Sequence, residues 1–555
     1  MPCNTLFRFL GRRKVFQAAT LATRVPVFTS RLSLRVFSTS SEPSNHTHAA
    51  ASCCEPPVRV RYAPSPTGSL HLGGLRTALY NYLLAKQQGG KFLLRIEDTD
   101  QTRLVPGSVE QLVDSLHWAG VPFDEGPGKE GDCGPYVQSQ RLPIYHEHVN
   151  RLLASGHAYR CFCTAERLTQ LKNLQVKRGI QSTYDRFCSH LTPEEVQERM
   201  REGPDKWPFT VRLRVPDSAD IVFRDELRGE IRVQSRSVDD QVLLKSDGFP
   251  TYHLASVVDD HLMRISHVIR GEEWLPSTPK HILLYQCFDW SPPRFFHLPL
   301  LLDNTRHKLS KRHGDASVES YRERGYLPSA VVNFVALLGW HDDNDREVYL
   351  SQADLVKAFC LTRVQKGGAV VDAKRLDWIN SQHIRHLADT DLRQLIALIR
   401  PHVERTHPSL TIDDAYLTRV VSVLKERAST IPQFAEYSFF FFAEPDYKSE
   451  AGKQARASLW VEQNQESLSA VRAVMTELES TPESTFALST ELHAVFERVV
   501  HERKGSYKTV MNALRFALTG SKVGMGMSET VSLLGKEKVV SRLAMFLEEE
   551  QWAIR

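Results

Sequence analysis

The stretch Arg61-Tyr62-Ala63-Pro64-Ser65-Pro66-Thr67-Gly68-Ser69-Leu70-His71-Leu72-Gly73-Gly74 decides how the chain is read. Ahead of it, Val58 to Tyr62 alternates like a short strand, and behind it Leu75, Leu79, Tyr82 and Leu83 recur at helical spacing. Between strand and helix, unpaired backbone N–H groups and the helix dipole favour an anion. Gly73 and Gly74 permit close approach of a ligand, and His71 can donate a hydrogen bond to phosphate without adding a fixed charge. Taken alone, His71 to Gly74 reads more simply as a glycine turn beside a satisfied histidine.

Outward from there, Phe92 to Ile96 reads as a second buried strand ending at Glu97-Asp98-Thr99-Asp100, the beginning of a parallel sheet with ligands at its strand ends. Residues 161–239 interrupt it with a cysteine-bearing segment and the strand-like runs Phe209 to Val215 and Glu230 to Gln234. The sheet is expected to resume around Val242 to Lys245, to add Val268 to Arg270, and to send Leu300 to Leu302 towards Lys308. From about Ser320 the pattern is helical, with Leu387 to Val403, Ala415 to Ala428, Gln463 to Glu477 and Lys536 to Glu549 as long segments. Phe439 to Phe442 are expected at a helix–helix contact. The fold class is therefore α/β, a Rossmann-type parallel sheet split by an α+β insertion, followed by an all-α C-terminal region.

At 555 residues the chain calls for several domains, and 41% apolar with 25% charged residues suits a globular protein. No stretch approaches the ~20 apolar residues that span a bilayer, so no membrane partner is expected. Arg8, Arg12, Arg13, Lys14, Arg24, Arg31 and Arg35 precede the first acid, Glu42, and are interleaved with apolar residues and followed by Ser38, Thr39, Ser40 and Ser41. That pattern predicts a cleaved mitochondrial transit peptide over 1–45, a linker over 46–57 and a matrix location; a retained basic tail is the alternative. Residues 1–50 carry seven cations and one anion, so the net charge of +4 becomes about −2 for the remainder. Any nucleic acid must then be met by local patches such as Lys308, Lys311 and Arg312. Nine cysteines at irregular spacing do not make a disulfide framework.

The second decisive segment is Lys308-Leu309-Ser310-Lys311-Arg312, a cationic loop that could close on the same phosphates. The two segments lie about 230 residues apart with a split sheet between them, which makes coincidence a poor account. In this the chain resembles the class I aminoacyl-tRNA synthetases, His71 to Gly74 matching their HIGH signature and Lys308 to Arg312 their KMSKS signature. Arg61 to Gly68, Arg95-Ile96-Glu97-Asp98-Thr99-Asp100 and Val268-Ile269-Arg270-Gly271-Glu272-Glu273 are similar to the glutamyl branch of that family, and the resemblance covers nearly everything from Val58 onward. It implies catalytic-domain halves over 58–160 and 240–319, an acceptor-stem insertion over 161–239, a stem-contact domain over 320–385 and a helical anticodon-binding domain over 386–555. The long helical third argues against a truncated relative that keeps only the catalytic domain.

By the same resemblance, ATP with Mg²⁺ would meet His71, Gly73, Gly74, Glu273, Lys308, Leu309, Ser310, Lys311 and Arg312, with His71, Lys308 and Lys311 catalytic. L-Glutamate would meet Arg61, Tyr62, Ala63, Glu97 and Arg270, with Tyr252, His253, Leu254, Ala255 and Ser256 as a wall. Glutamate offers two carboxylates and an ammonium, so a selective pocket needs two cations and an anion, and Arg270 is the residue that would reject glutamine. The other implied partner is mitochondrial tRNA(Glu), with tRNA(Gln) as a further acceptor; a monomer is expected. Cys161-x-Cys163 and Cys188-x-His190, with 24 residues between the pairs, have the composition of a structural Zn²⁺ site and resemble the zinc-binding insertion of some bacterial members; unliganded buried thiols are the alternative.

Overall fold

The computed structural model describes residues 57–180, 182–217, 220–309, 317–408, 411–459, 464–503, 506–522 and 524–554. The expected transit peptide and most of its linker, and Ser310, Lys311 and Arg312, lie outside the described residues.

Strand β1 (Arg59–Tyr62) pairs in parallel with β2 (Lys91–Leu94), and helix α1 (Leu72–Gln87) crosses between them. Leu72, Leu75, Ala78, Leu79 and Leu83 of α1 are wholly buried against these strands, each large side chain contributing roughly 2 kcal/mol. After α2 (Ser108–Trp118) and α3 (Leu142–Ala154) the chain leaves the sheet through β3 (Ala158–Cys161), α4 (Ala165–Lys177), α5 (Pro193–Glu202) and β4 (Thr210–Leu213). Next come β5 (Asp220–Asp225), β6 (Gly229–Gln234), β7 (Val242–Leu244), α6 (Tyr252–Leu262), β8 (His267–Gly271), α7 (Thr278–Cys287) and β9 (Arg294–Leu298). Strands β8 and β9 are parallel, and β8 lies beside β1, with Ser266 N–H donating to the Arg59 carbonyl at 2.9 Å.

Two strands sit differently from expectation. Val242–Leu244, expected to resume the parallel sheet, pairs with β4 in an antiparallel sheet β3-β4-β7. The other is β6, whose run Glu230 to Gln234 was expected inside the insertion: it pairs with β5, which joins β9 through Asp225. A short apolar run states that a strand is half-buried and not which sheet it joins. Asp225 decides the matter for β5, because its buried carboxylate accepts from the backbone N–H of His297 on β9 at 3.1 Å.

Strand β10 (Leu301–Leu302) pairs in parallel with β11 (Ala369–Val370), and α8 (Val318–Glu323), α9 (Pro328–Ala336), α10 (Gln352–Ala358) and α11 (Ala373–Thr390) lead out of the sheet. Tyr80 on α1 donates to the carbonyls of Ala336 and Leu338, which ties α9 to the sheet. Beyond this the chain is helical. Asp391 breaks the segment expected to run from Leu387 to Val403: its N–H closes α11 on Leu387 while its carboxylate caps helix Leu392–Thr406. Phe440 and Phe441 are buried, and Arg542 donates to the carbonyls of Phe440, Leu518 and Ala443, satisfying helix C-termini that apolar packing would leave unpaired. Among the described residues no helix is long and apolar enough to cross a membrane.

Candidate functional site

The strand ends of β1 and β8, the loop before α1 and the turn after β10 enclose a cavity of about 430 Å³. Of the residues expected there, Arg61, Tyr62, Ala63, His71, Gly73, Gly74, Glu97, Tyr252, Arg270, Glu273, Lys308 and Leu309 all line it. The expected wall from Tyr252 to Ser256 does not form as such. These residues begin α6, so consecutive side chains leave in different directions: Tyr252 faces the cavity, Leu254, Ala255 and Ser256 are buried, and His253 bonds to His281 at 3.1 Å.

At the phosphate-loop end, His71 caps α1, its Nδ1 accepting from Gly74 N–H at 3.0 Å. In the neutral ring that leaves the proton on Nε2. Gly74 has a steric reason: a Cβ there would lie 2.5 Å from the Tyr62 hydroxyl. The segment before Lys308 is a tight turn in which Asp303 accepts from Thr305 and His307, after which Leu309 N–H returns to the Leu301 carbonyl. On the far side, Ser317 bridges to His71 and Val318 N–H donates to Leu70. The flank at Leu309 is thus anchored to β10, and the flank at Ser317 to the loop before α1.

The two arginines differ. Arg61, 3% exposed, is bound side-on by Asp260, its Nε donating to Oδ1 at 2.9 Å and Nη2 to Oδ2 at 3.2 Å. Arg95 joins Asp260 at 2.7 Å to Glu97 at 3.0 Å, and Arg141, Tyr145 and Gln138 complete the partners of Asp259. Arg61, Arg95 and Arg141 thus meet Glu97, Asp259 and Asp260 in a buried, charge-balanced cluster. Burial pushes the Glu97 carboxyl up against the pull of Arg95, whereas for Asp260 the guanidinium groups of Arg61 and Arg95 outweigh burial and hold it below its ordinary value. Only Arg61 and Glu97 of this cluster were expected; the adjacent acids Asp259-Asp260 in an otherwise apolar helical run are the signal for the rest.

Arg270, 6% exposed, has neutral partners throughout: Nε donates to His297 Nε2 at 3.0 Å, Nη1 to the Tyr252 hydroxyl at 2.9 Å and Nη2 to Thr278 Oγ1 at 2.9 Å. Among the described residues it forms no ion pair. Burial, with Arg270 alongside, pushes His281 well down and keeps it neutral; burial does the same to Tyr252 by raising its phenol. A buried guanidinium surrounded by neutral acceptors is arranged for an anionic ligand. His297 and Thr278 were missed, having no motif around them.

In the insertion, the sulfurs of Cys161, Cys163 and Cys188 lie within 4.8 Å of one another. His190 does not join them: it ends a 3-10 turn, exposed, and the Tyr184 hydroxyl stands 3.3 Å from both Cys161 and Cys163 in its stead. Hydrogen bonding from Cys188, with burial opposing, pulls the Cys161 thiol down to about 4. Three convergent thiol sulfurs fit three positions of a tetrahedral ion, while burial raises the Tyr184 phenol and keeps it protonated.

Residues 57–378 match the family of tRNA synthetases class I (E and Q), catalytic domain, and residues 394–547 match an anticodon binding domain. A glutamate–tRNA ligase of Chloroherpeton thalassium is 44% identical over 502 residues, covering 88% of this chain and 97% of that protein. One from Clostridioides difficile is 42% identical over 498 residues, with 88% and 98% covered. A crystal structure of a glutamate tRNA ligase from Elizabethkingia meningosepticum in complex with its amino acid superposes with a TM-score of 0.76 at 35% identity, covering 89% of this chain and 99% of that one. With a split parallel sheet, a glycine-bearing loop capped by His71, a buried arginine at the strand ends and a helical C-terminal region all in place, the chain belongs to the glutamate–tRNA ligase family of class I aminoacyl-tRNA synthetases.

Proposed function

We propose that this enzyme activates L-glutamate with ATP and esterifies it to tRNA(Glu) in the mitochondrial matrix, and that Arg270 selects the substrate. The observation that carries the substrate is the buried Arg270 guanidinium with only neutral acceptors around it. A glutamate side-chain carboxylate would neutralise it; a glutamine amide would leave the charge unpaired at a cost of several kcal/mol. Arg61, held by Asp260, keeps Nη1 for the other carboxylate, and Glu97 offers its carboxylate to the α-ammonium.

The α-carboxylate oxygen attacks the α-phosphorus of ATP and pyrophosphate leaves; the terminal ribose 2′-hydroxyl of the tRNA then attacks the carbonyl carbon and AMP leaves. No side chain forms a covalent bond. Positioning and charge stabilisation suffice, supplied by His71, Lys308, Lys311 and the backbone at Gly73 and Gly74, with Glu273 near the nucleotide. Mg²⁺ would neutralise the phosphates. Residues 386–555 would carry the anticodon stem and loop.

Finer assignments rest on separate grounds. The basic, acid-free N-terminus supports import into mitochondria, which a fusion of residues 1–57 to a fluorescent protein would test. The same address supports charging of tRNA(Gln) as well, for later amidation. Cys161, Cys163 and Cys188 would hold one structural Zn²⁺. The deciding experiment is aminoacylation with labelled glutamate and glutamine on purified mitochondrial tRNA(Glu) and tRNA(Gln) separately. Glutamate on both tRNAs is expected; glutamine charging would sink the role of Arg270, and an uncharged tRNA(Gln) would sink the wider tRNA range.

A further inference from the structure

Asp225 and His297 are fully buried, belong to two neighbouring strands and do not line the cavity, yet they form a chain that ends on Arg270. Asp225 Oδ1 accepts from the N–H groups of Leu227 at 3.1 Å and Arg228 at 2.8 Å. Its Oδ2 accepts from His297 N at 3.1 Å and meets His297 Nδ1 at 2.8 Å. A carboxylate with its acceptor sites so filled requires Nδ1 to carry the proton, since a bare Nδ1 would set lone pair against lone pair. Nε2 is then the ring's acceptor, aimed at Arg270 Nε–H at 3.0 Å. A doubly protonated ring would point an N–H at that N–H and add a second positive charge.

Resting on the assignment of Arg270 to the side-chain carboxylate, we infer that Asp225 and His297 are positioning residues for glutamate selection. Asp225 holds His297 in the one tautomer that can accept from Arg270, and the imidazole orients the guanidinium without neutralising it. A carboxylate in the place of His297 would orient Arg270 equally well and would consume the charge that the substrate must meet. The buried Asp225 is thus kept one residue away from Arg270, with a neutral ring between them.

The test is steady-state aminoacylation of tRNA(Glu) by the full chain, with glutamate and then ATP varied. H297N retains a donor towards Asp225 and withdraws the acceptor from Arg270; H297Q carries an amide oxygen to where Nε2 lies. H297N is expected to raise the KM for glutamate about ten- to hundredfold, with kcat and the KM for ATP moving less than about threefold. Its preference for glutamate over glutamine should narrow by a similar factor. H297Q should restore the KM for glutamate to within about threefold of the parent. An unchanged KM in H297N, or equal rises for glutamate and ATP in both variants, would overturn the inference. R270Q separates the two levels. A large rise in the KM for glutamate in R270Q with none in H297N overturns only the role of His297, whereas an R270Q variant that binds glutamate normally overturns the assignment of Arg270 itself.

Discussion

The two guanidinium groups at the floor of the cavity are buried to the same degree and held in opposite ways. Arg61 is locked to Asp260 inside a six-member ionic cluster, while Arg270, across the cavity, meets only neutral groups among the described residues, namely His297, Tyr252, Thr278, His281, the Trp274 carbonyl and the Phe295 ring. A buried arginine matched by a carboxylate is a structural element with a donor to spare. One held by neutral acceptors keeps nearly its whole charge for a ligand, at the expense of stability in the empty site. The first side of the cavity should therefore answer to mutation mainly in stability, the second mainly in substrate recognition.

The largest effect expected is on catalysis at the second side. R270Q should lower kcat/KM for glutamate by about a hundred- to a thousandfold while leaving the melting temperature close to the parent's, since no buried counter-ion is orphaned. A melting temperature that fell with activity would erase the contrast. At the first side, D260N leaves Arg61 and Arg95 short of an anion and should cost about 3–5 kcal/mol of stability by denaturant titration.

Acid sharpens the comparison next. Histidines kept neutral by burial recur in this fold: His253 is pushed down to about 3 beside Arg270, and His383, bonded to Ser329 and Asn333, to about 4. Because the folded values lie below the ordinary 6.5, the unfolded chain binds the extra protons, so stability is full above about 6.5 and falls as the pH drops towards 4. For His383 the whole loss is about 3 kcal/mol, and melting curves of H383Q across that window should be flatter than the parent's. A slope unchanged in H383Q would assign the acid sensitivity to the carboxylates of the first side.

The smallest contrast concerns the insertion. Metal analysis should find one zinc per chain in the parent and in H190A, and none in C161S, whose melting should begin earlier. Loss of zinc from H190A would restore His190 to the ligand set.

The local elements on either side of the phosphate loop were legible because strand, glycine-proline loop and helix follow one another within thirty residues. Phe440 and Phe441 were legible as core because a run of four aromatics has nowhere else to go. The strands β5, β6 and β7 were not, since each is too short to declare a sheet and the pairing of β5 with β9 is decided through Asp225, a residue with no local pattern. His190 misled for a related reason: a spacing of one residue from Cys188 says nothing of which way a 3-10 turn will face it.

By itself the sequence pointed to the family and singled out Arg61, Glu97, His71, Lys308 and Arg270, which the fold brings to one cavity, because motifs carry residue types that phosphates and carboxylates demand. Only the tertiary structure decided that Arg61 is ion-paired and that Arg270, among the described residues, is not. Charge state and available donors depend on neighbours brought from Asp225, Asp260, Thr278 and His297, and the folded chain alone brings those groups together.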